Sequence, residues 1–246
     1  MKKTYRYCLS ALICLHSFDV YSQTISTDMI DANGTYQYMT GGTVTNLTNG
    51  AKITNTMSDG TIINAQSGST IYNVSGGTIV NLRGGSEITN NMYGGTIENV
   101  YENAIINKFQ GSAKIDNMFG GTIAEVYSMG RIVNMSGGRI ESITSTVSGA
   151  NAAHIDTITG GSIGEISGTA YIGQIIGNPD APRVSITTMS DSSNIGQISN
   201  TNIGTMKDTA SINNVYSGTI TKMEGSSHID TVHHWAIIGE LTDTAT

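Results

Sequence analysis

Two carboxylates, Glu98 and Asp116, stand 18 residues apart in matching contexts, Thr-Ile-Glu-Asn-Val and Lys-Ile-Asp-Asn-Met. A paired acid and base is what glycoside hydrolysis demands, provided that the pair lies in a cleft and one pKa is raised. On an exposed strand the same pair is only two solvated charges under mild repulsion. The expectation is the latter, and hence no catalytic residue. Histidines offer metal chemistry: His228 and His233 flank Asp230, and His154 stands alone before an isoleucine. No third ligand has a recognisable zinc spacing, so ordinary surface histidines are expected and no metal. Calcium-binding β-rolls need Gly-Gly-x-Gly-x-Asp in each half-coil. Here the Gly-Gly pairs recur without the aspartate. Nucleophilic triads, phosphate loops and dinucleotide fingerprints are likewise missing, so no cofactor is expected.

Aromatic side chains offer binding instead. Tyr101 and Phe119 share one position of a repeat, and Tyr93 and Tyr127 share another. Such rows stabilise neighbouring strands, and when exposed they also contact sugar rings or partner proteins. Both prolines of the chain fall in one irregular stretch, Gly177-Asn178-Pro179-Asp180-Ala181-Pro182. A second irregular stretch covers Ser145 to Asn151. Insertions of this kind project from repeat architectures and can carry binding. The candidate partner contacts are therefore Tyr93, Tyr101, Phe119, Tyr127, Pro179, Asp180 and Pro182.

These residues hang on a repeat. An Ile or Val recurs from Val44 to Ile238, with Tyr36 one step earlier. Apart from two gaps, near 143–154 and 176–185, every spacing is eight or nine residues. Each unit reads Ile-x-Asn-Φ, with Φ apolar, as in Ile79-Val80-Asn81-Leu82 and Ile132-Val133-Asn134-Met135. Thr56 and Asn91 interrupt the Φ row, but Met57 and Met92 follow directly, as a one-residue bulge allows. Short Gly-Gly turns alternate with longer ones such as Asn49-Gly50-Ala51-Lys52, which makes the true period two units, 17–18 residues. The expected architecture is an all-β, single-domain β-solenoid (β-helix) of about eleven coils over 36–246. Residues i and i+3 of a flat strand point to opposite faces, so the chain must bend inside each unit to bury both apolar rows. The third-slot Asn suits that bend because it tolerates the left-handed region.

Composition agrees. Among 246 residues there are 30 glycines, 2 prolines and 13% charged residues, at net charge −7. Helix formers are scarce, no Gly-X-Y period exists, and recurrent isoleucine argues against disorder. The acidic balance argues against nucleic acid as partner. No apolar stretch is long enough to span a bilayer as a helix.

Residues 1–22 read as a secretory signal peptide: Lys2, Lys3 and Arg6, then an apolar stretch from Cys8 to Leu15. Cleavage is expected between Ser22 and Gln23. It removes Cys8 and Cys14, three of twelve basic residues and one of nineteen acidic ones, leaving net −9 and no thiol. Residues 23–35 are then a cap or leader.

The run from Gly34 to Asn46, with Tyr36-Gln37-Tyr38-Met39, Gly41-Gly42-Thr43 and Val44-Thr45-Asn46, resembles the passenger repeat of AIDA-type self-associating autotransporter adhesins. The resemblance extends loosely over 36–246. It implies a right-handed β-helix at a Gram-negative cell surface or outside the cell, engaged in adhesion or autoaggregation. The partners it implies are the same protein on neighbouring cells, or a host surface glycan or protein. Such proteins end in a membrane β-barrel, whereas this sequence stops inside a repeat-like stretch at Thr246. A passenger fragment, or release by another route, is the corresponding expectation. The alternatives are a carbohydrate-active β-helix enzyme and a non-binding structural spacer.

Overall fold

The computed structural model describes residues 23–246, so the proposed signal peptide lies outside the described residues. The chain winds into a right-handed β-solenoid of parallel strands, two per coil. One face stacks thirteen strands, from Thr24–Ile25 through Thr70–Val74 and Ile105–Gln110 to the second half of His228–Leu241. The other stacks twelve, from Met29–Ala32 through Thr96–Val100 and Tyr171–Ile176 to the first half of the same strand. At about 4.8 Å per coil the rod is on the order of 60 Å long. It gains a coil over the expected eleven because Met29-Ile30-Asp31-Ala32 occupies the four slots of a unit without matching the motif, pairing with Val44 to Leu47. The strand pairing thus begins at Thr24, inside the stretch read as cap or leader. The one helical element among the described residues is a 3-10 turn, Gly149–Asn151.

Both apolar rows are buried up to the last coil, where Val232 and Leu241 are exposed. Ile132 and Met135, like Ile79 and Leu82, are sealed from solvent while the two residues between them are partly exposed. The bulges fall where the Φ row is interrupted: pairing slips between Ile53 and Thr56 and between Ile88 and Asn91, and Met57 and Met92 enter the core.

The third-slot asparagines have a different role from the one expected. None has positive φ; the left-handed residues, such as Asn49, Ser67, Asn103 and Asp191, lie in the long turns. The slot instead carries a ladder. Asn64, Asn81, Asn99, Asn117 and Asn134 each donate from Nδ2 to Oδ1 of the asparagine one coil earlier, at 3.1–3.3 Å. The first member, Asn46, donates to Asp31 Oδ1 at 2.9 Å. Aspartate has no donor to pass on, so it terminates the ladder correctly.

Coils turn at two corners. The first corner leads from the thirteen-strand face to the twelve-strand face, and the second leads back. Gly-Gly turns pack closely on the turn one coil earlier. A Cβ on Gly77, at φ +78, would meet the carbonyl oxygen of Gly60 at 2.6 Å.

Candidate functional site

The seven residues singled out for partner contact divide between the corners. Tyr93 follows strand Glu87–Met92 and Tyr127 ends strand Thr122–Tyr127, and both stand at the first corner. Tyr101, Phe119 and the Pro179-Asp180-Pro182 loop stand at the second. Tyr101 and Phe119 stack at 5.3 Å between ring centroids and remain exposed. Tyr93 and Tyr127 are two coils apart with Gln110 between them, so they form no ladder of their own. Tyr127 instead takes Lys108 over its ring at 4.9 Å and meets Thr146 Oγ1 at 3.3 Å. The proline loop is exposed: Asn178 Oδ1 accepts the Asp180 N–H, and Asn200 Nδ2 donates to the Asn178 carbonyl at 2.7 Å.

Glu98 and Asp116 do occupy equivalent positions on paired strands. Glu98 points to solvent, and Asp116 accepts an ion pair from Lys114 at 2.6 Å. The cavity described below lies elsewhere. Lys108 pairs with Glu125 at 3.1 Å as the register suggests. Lys222, by contrast, pairs with Glu224 of its own coil, although Glu240 lies opposite it. His228 lies 3.6 Å from Asp230, while His233 stacks flat on Tyr216 at 4.4 Å, so the two histidines serve different partners. Trp235 and Leu241 in this last coil are exposed.

A recess builds on the insertion after Arg139–Ser145, at the first corner. The cavity is about 490 Å³ and is lined by Ser148, His154, Thr169, Tyr171, Ser192 and Asn194, with the loop backbone at Gly149 and Ala152 closing one side. His154, Tyr171 and Asn194 hold the same slot on three successive strands of the twelve-strand face. The motif places all three: each precedes a core isoleucine, Ile155, Ile172 and Ile195, and so faces outward.

The loop over this recess is tied down at both ends. Ser145 is buried, and its Oγ donates to the Val147 carbonyl at 2.7 Å. Thr169 in the next coil donates its N–H to the Ser145 carbonyl at 2.8 Å and its hydroxyl to Val147 O at 2.5 Å. Gly168 lies directly against Ser145, where a Cβ would come within 1.9 Å of the carbonyl oxygen. Ala152 and Ala153 return the chain to the core.

No charged side chain lines the recess. Asp156 is engaged outside it, accepting a bidentate contact from Arg131 and lying 2.8 Å from His154 Nε2. Burial pushes the His154 imidazole below its usual pKa, more than Asp156 pulls it up, and Arg131 adds to the lowering. A neutral imidazole keeps one ring nitrogen as a donor and the other as an acceptor. His154 meets Tyr171 edge-on at 4.9 Å. The Tyr171 phenol runs along the rod over Gly196, whose absent side chain makes room for it.

Sequence reasoning noted the Ser145–Asn151 insertion and His154 separately but did not join them. The available signal was His154, Tyr171 and Asn194 in equivalent slots directly after a lengthened turn. No family model, no curated protein and no solved structure matches the chain.

Proposed function

We propose that this chain is an exported β-solenoid that binds through its long sides, in adhesion or self-association at or outside a bacterial cell surface. The observation that carries the reading is a division of labour. The apolar rows are consumed by the core in every coil but the last, while the two loop insertions and the exposed aromatics that follow the strands are displayed at the two corners. Both insertions, the recess and the exposed Tyr93, Tyr101 and Phe119 lie there. The side of a rod presents many weak contacts, each contributing about 1 kcal/mol net for a hydrogen bond. Contacts of that size, repeated between two rods, suit reversible association through avidity. The signal-like segment 1–22 and the resemblance to adhesin passengers support export and display.

The test is to display residues 23–246 on a foreign anchor at a bacterial surface. Clumping of displaying cells, or their adherence to host cells or matrix, is expected. If the cells neither clump nor adhere, the spacer reading replaces this one. Turnover of a polysaccharide that disappears in Glu98→Gln or Asp116→Asn would replace it with an enzyme.

A further inference from the structure

We infer that the recess at the first corner is a binding site for one neutral pyranose unit of a glycan, with Tyr171 as the aromatic platform and His154, Asn194 and Ser148 as hydrogen-bonding partners. This deepens the binding-rod reading by naming a ligand class. The two fail separately, because sugar binding is read on the purified chain and clumping on cells.

Four observations converge. First, the volume of about 490 Å³ falls within the 300–1,000 Å³ of ordinary small-molecule sites. Second, the lining combines one aromatic ring with uncharged polar groups. No Lys, Arg, Asp or Glu lines it; beside it Arg131 and Asp156 pair with each other, and Asp191, next to Ser192, accepts the Gly168 N–H at 2.9 Å. An anionic or cationic ligand would find no charged side chain in the lining, whereas a polyol finds donors and acceptors together with an apolar face for its C–H groups. Third, polar atoms are left open. Neither the Tyr171 hydroxyl nor the Ser148 hydroxyl has a hydrogen-bond partner among the described residues, and Asn194 engages Ser211 and Asn213 only through Nδ2, leaving Oδ1 available. These groups sit on successive coils about 4.8 Å apart, so a ring lying along the rod meets more than one of them. Fourth, the loop is built rather than merely tolerated. Buried Ser145, buried Ala152 and Ala153, and a glycine that the Ser145 carbonyl makes obligatory all hold it over the recess.

Tyr93, Tyr101 and Phe119 do not compete for this role. They are exposed, and Tyr101 and Phe119 already stack on each other.

The experiment titrates the chain, residues 23–246, with D-glucose, D-galactose, D-mannose and N-acetyl-D-glucosamine, following saturation transfer to the sugar by NMR. D-glucuronate serves as the charged comparator. At least one neutral sugar is expected to bind saturably. Tyr171→Ala should weaken it tenfold or more, and Tyr171→Phe, which keeps the platform, no more than about threefold. Ser192→Trp, a substitution at an exposed rim position away from the core, should block the site without disturbing the coil. Circular dichroism on each variant separates lost binding from lost fold. The inference is overturned if none of the four sugars saturates. It is also overturned if binding survives both Tyr171→Ala and Ser192→Trp, or if glucuronate binds tenfold more tightly than every neutral sugar.

Discussion

The coils before Tyr101 and those after Gly120 share one core but exchange their corners. In the N-terminal coils the Gly-Gly turns, Gly41-Gly42, Gly76-Gly77 and Gly94-Gly95, lie at the first corner. The longer turns there lie at the second, placing Ala51, Ser69, Ser86 and Ala104 in the core. From Gly120-Gly121 onward the Gly-Gly turns occupy the second corner, and Ala113, Ala153, Ala170 and Ser193 fill the first. The exchange happens in a single coil, Ile97 to Ile115, which carries long turns at both corners. Turn type is therefore passed from coil to coil at each corner rather than fixed by the fold. A Gly-Gly turn needs the close approach that its neighbour provides, and a long turn needs a small buried side chain. The exchange also decides where the recess forms, because the Ser145–Asn151 insertion lengthens a corner that has already become the roomy one. The asparagine ladder ends in the same region, at Asn134, with Thr157 next in register. N-terminal coils carry the bulges and the asparagine ladder; C-terminal coils carry the two loop insertions and the recess.

The exchange coil itself is the most sensitive place. Phe109 is the largest completely buried side chain, and Gly130 in the next coil lies against its ring, where a Cβ would stand 2.8 Å from Cδ1. Phe109→Ala should lower stability by about 3–5 kcal/mol. Urea unfolding monitored by circular dichroism would measure it. A cost near 1 kcal/mol would mean that the two halves slide together and need no aromatic wedge.

Glycines at the two kinds of corner should differ sharply. Gly138, at φ +86, would place a Cβ 2.7 Å from the Gly121 carbonyl oxygen, whereas Gly85, at φ +75, has nothing within 4 Å. Both substitutions incur the left-handed penalty of about 1–2 kcal/mol. Only Gly138→Ala adds overpacking, at roughly 1–3 kcal/mol. Equal losses for Gly138→Ala and Gly85→Ala would show that close stacking does not set turn type.

How far this comparison could be read from the sequence follows the same physics. The strands, the buried rows and the bulges at Met57 and Met92 were legible because burial imposes a residue type at a fixed spacing. The alternation of turns is legible too, but its change of phase at Ala104 and Ala113 is hidden, since each turn is locally ordinary. The asparagines were misread as bend formers because a ladder links residues 17–18 apart and leaves no trace inside one unit. The recess was missed for a similar reason: Tyr171 sits 17 residues after His154, and Asn194 lies beyond a second insertion that breaks the count.

The ladder offers the next test. Asn99 donates to Val80 O and Asn81 Oδ1 and accepts from Asn117. Asn99→Ala should cost about 1–2 kcal/mol, and Thr157→Ala, beyond the ladder, less than half of that. Two buried hydroxyls point the other way. Ser69 and Ser193 are sealed from solvent without a hydrogen-bond partner, in the slots that Ala51, Ala104, Ala170 and Ala210 fill in other coils. Ser69→Ala and Ser193→Ala should each raise stability by up to about 1 kcal/mol. A loss at either site would mean that the hydroxyl has a water partner.

The smallest expected effect separates the recess from the N-terminal coils by pH. His154 titrates lower in the folded protein than in the unfolded chain, chiefly because burial disfavours its charged form. The unfolded chain takes up its proton near pH 6.5, the ordinary histidine value, while the folded chain still resists. Between that pH and the lower folded pKa the unfolded state binds more protons, so stability falls as pH falls through this window. Below the folded pKa the loss levels off, and above pH 6.5 His154 contributes no slope. Asp156 opposes the lowering and Arg131 reinforces it, so Arg131→Gln should shallow the slope. The measurement is the urea midpoint at pH 8.0 and pH 5.5 for the natural chain and for His154→Gln. The glutamine variant should lose less stability on acidification than the natural chain does. If the two chains lose the same amount, His154 is as solvated as an ordinary surface histidine, and the recess is wetter than its lining suggests.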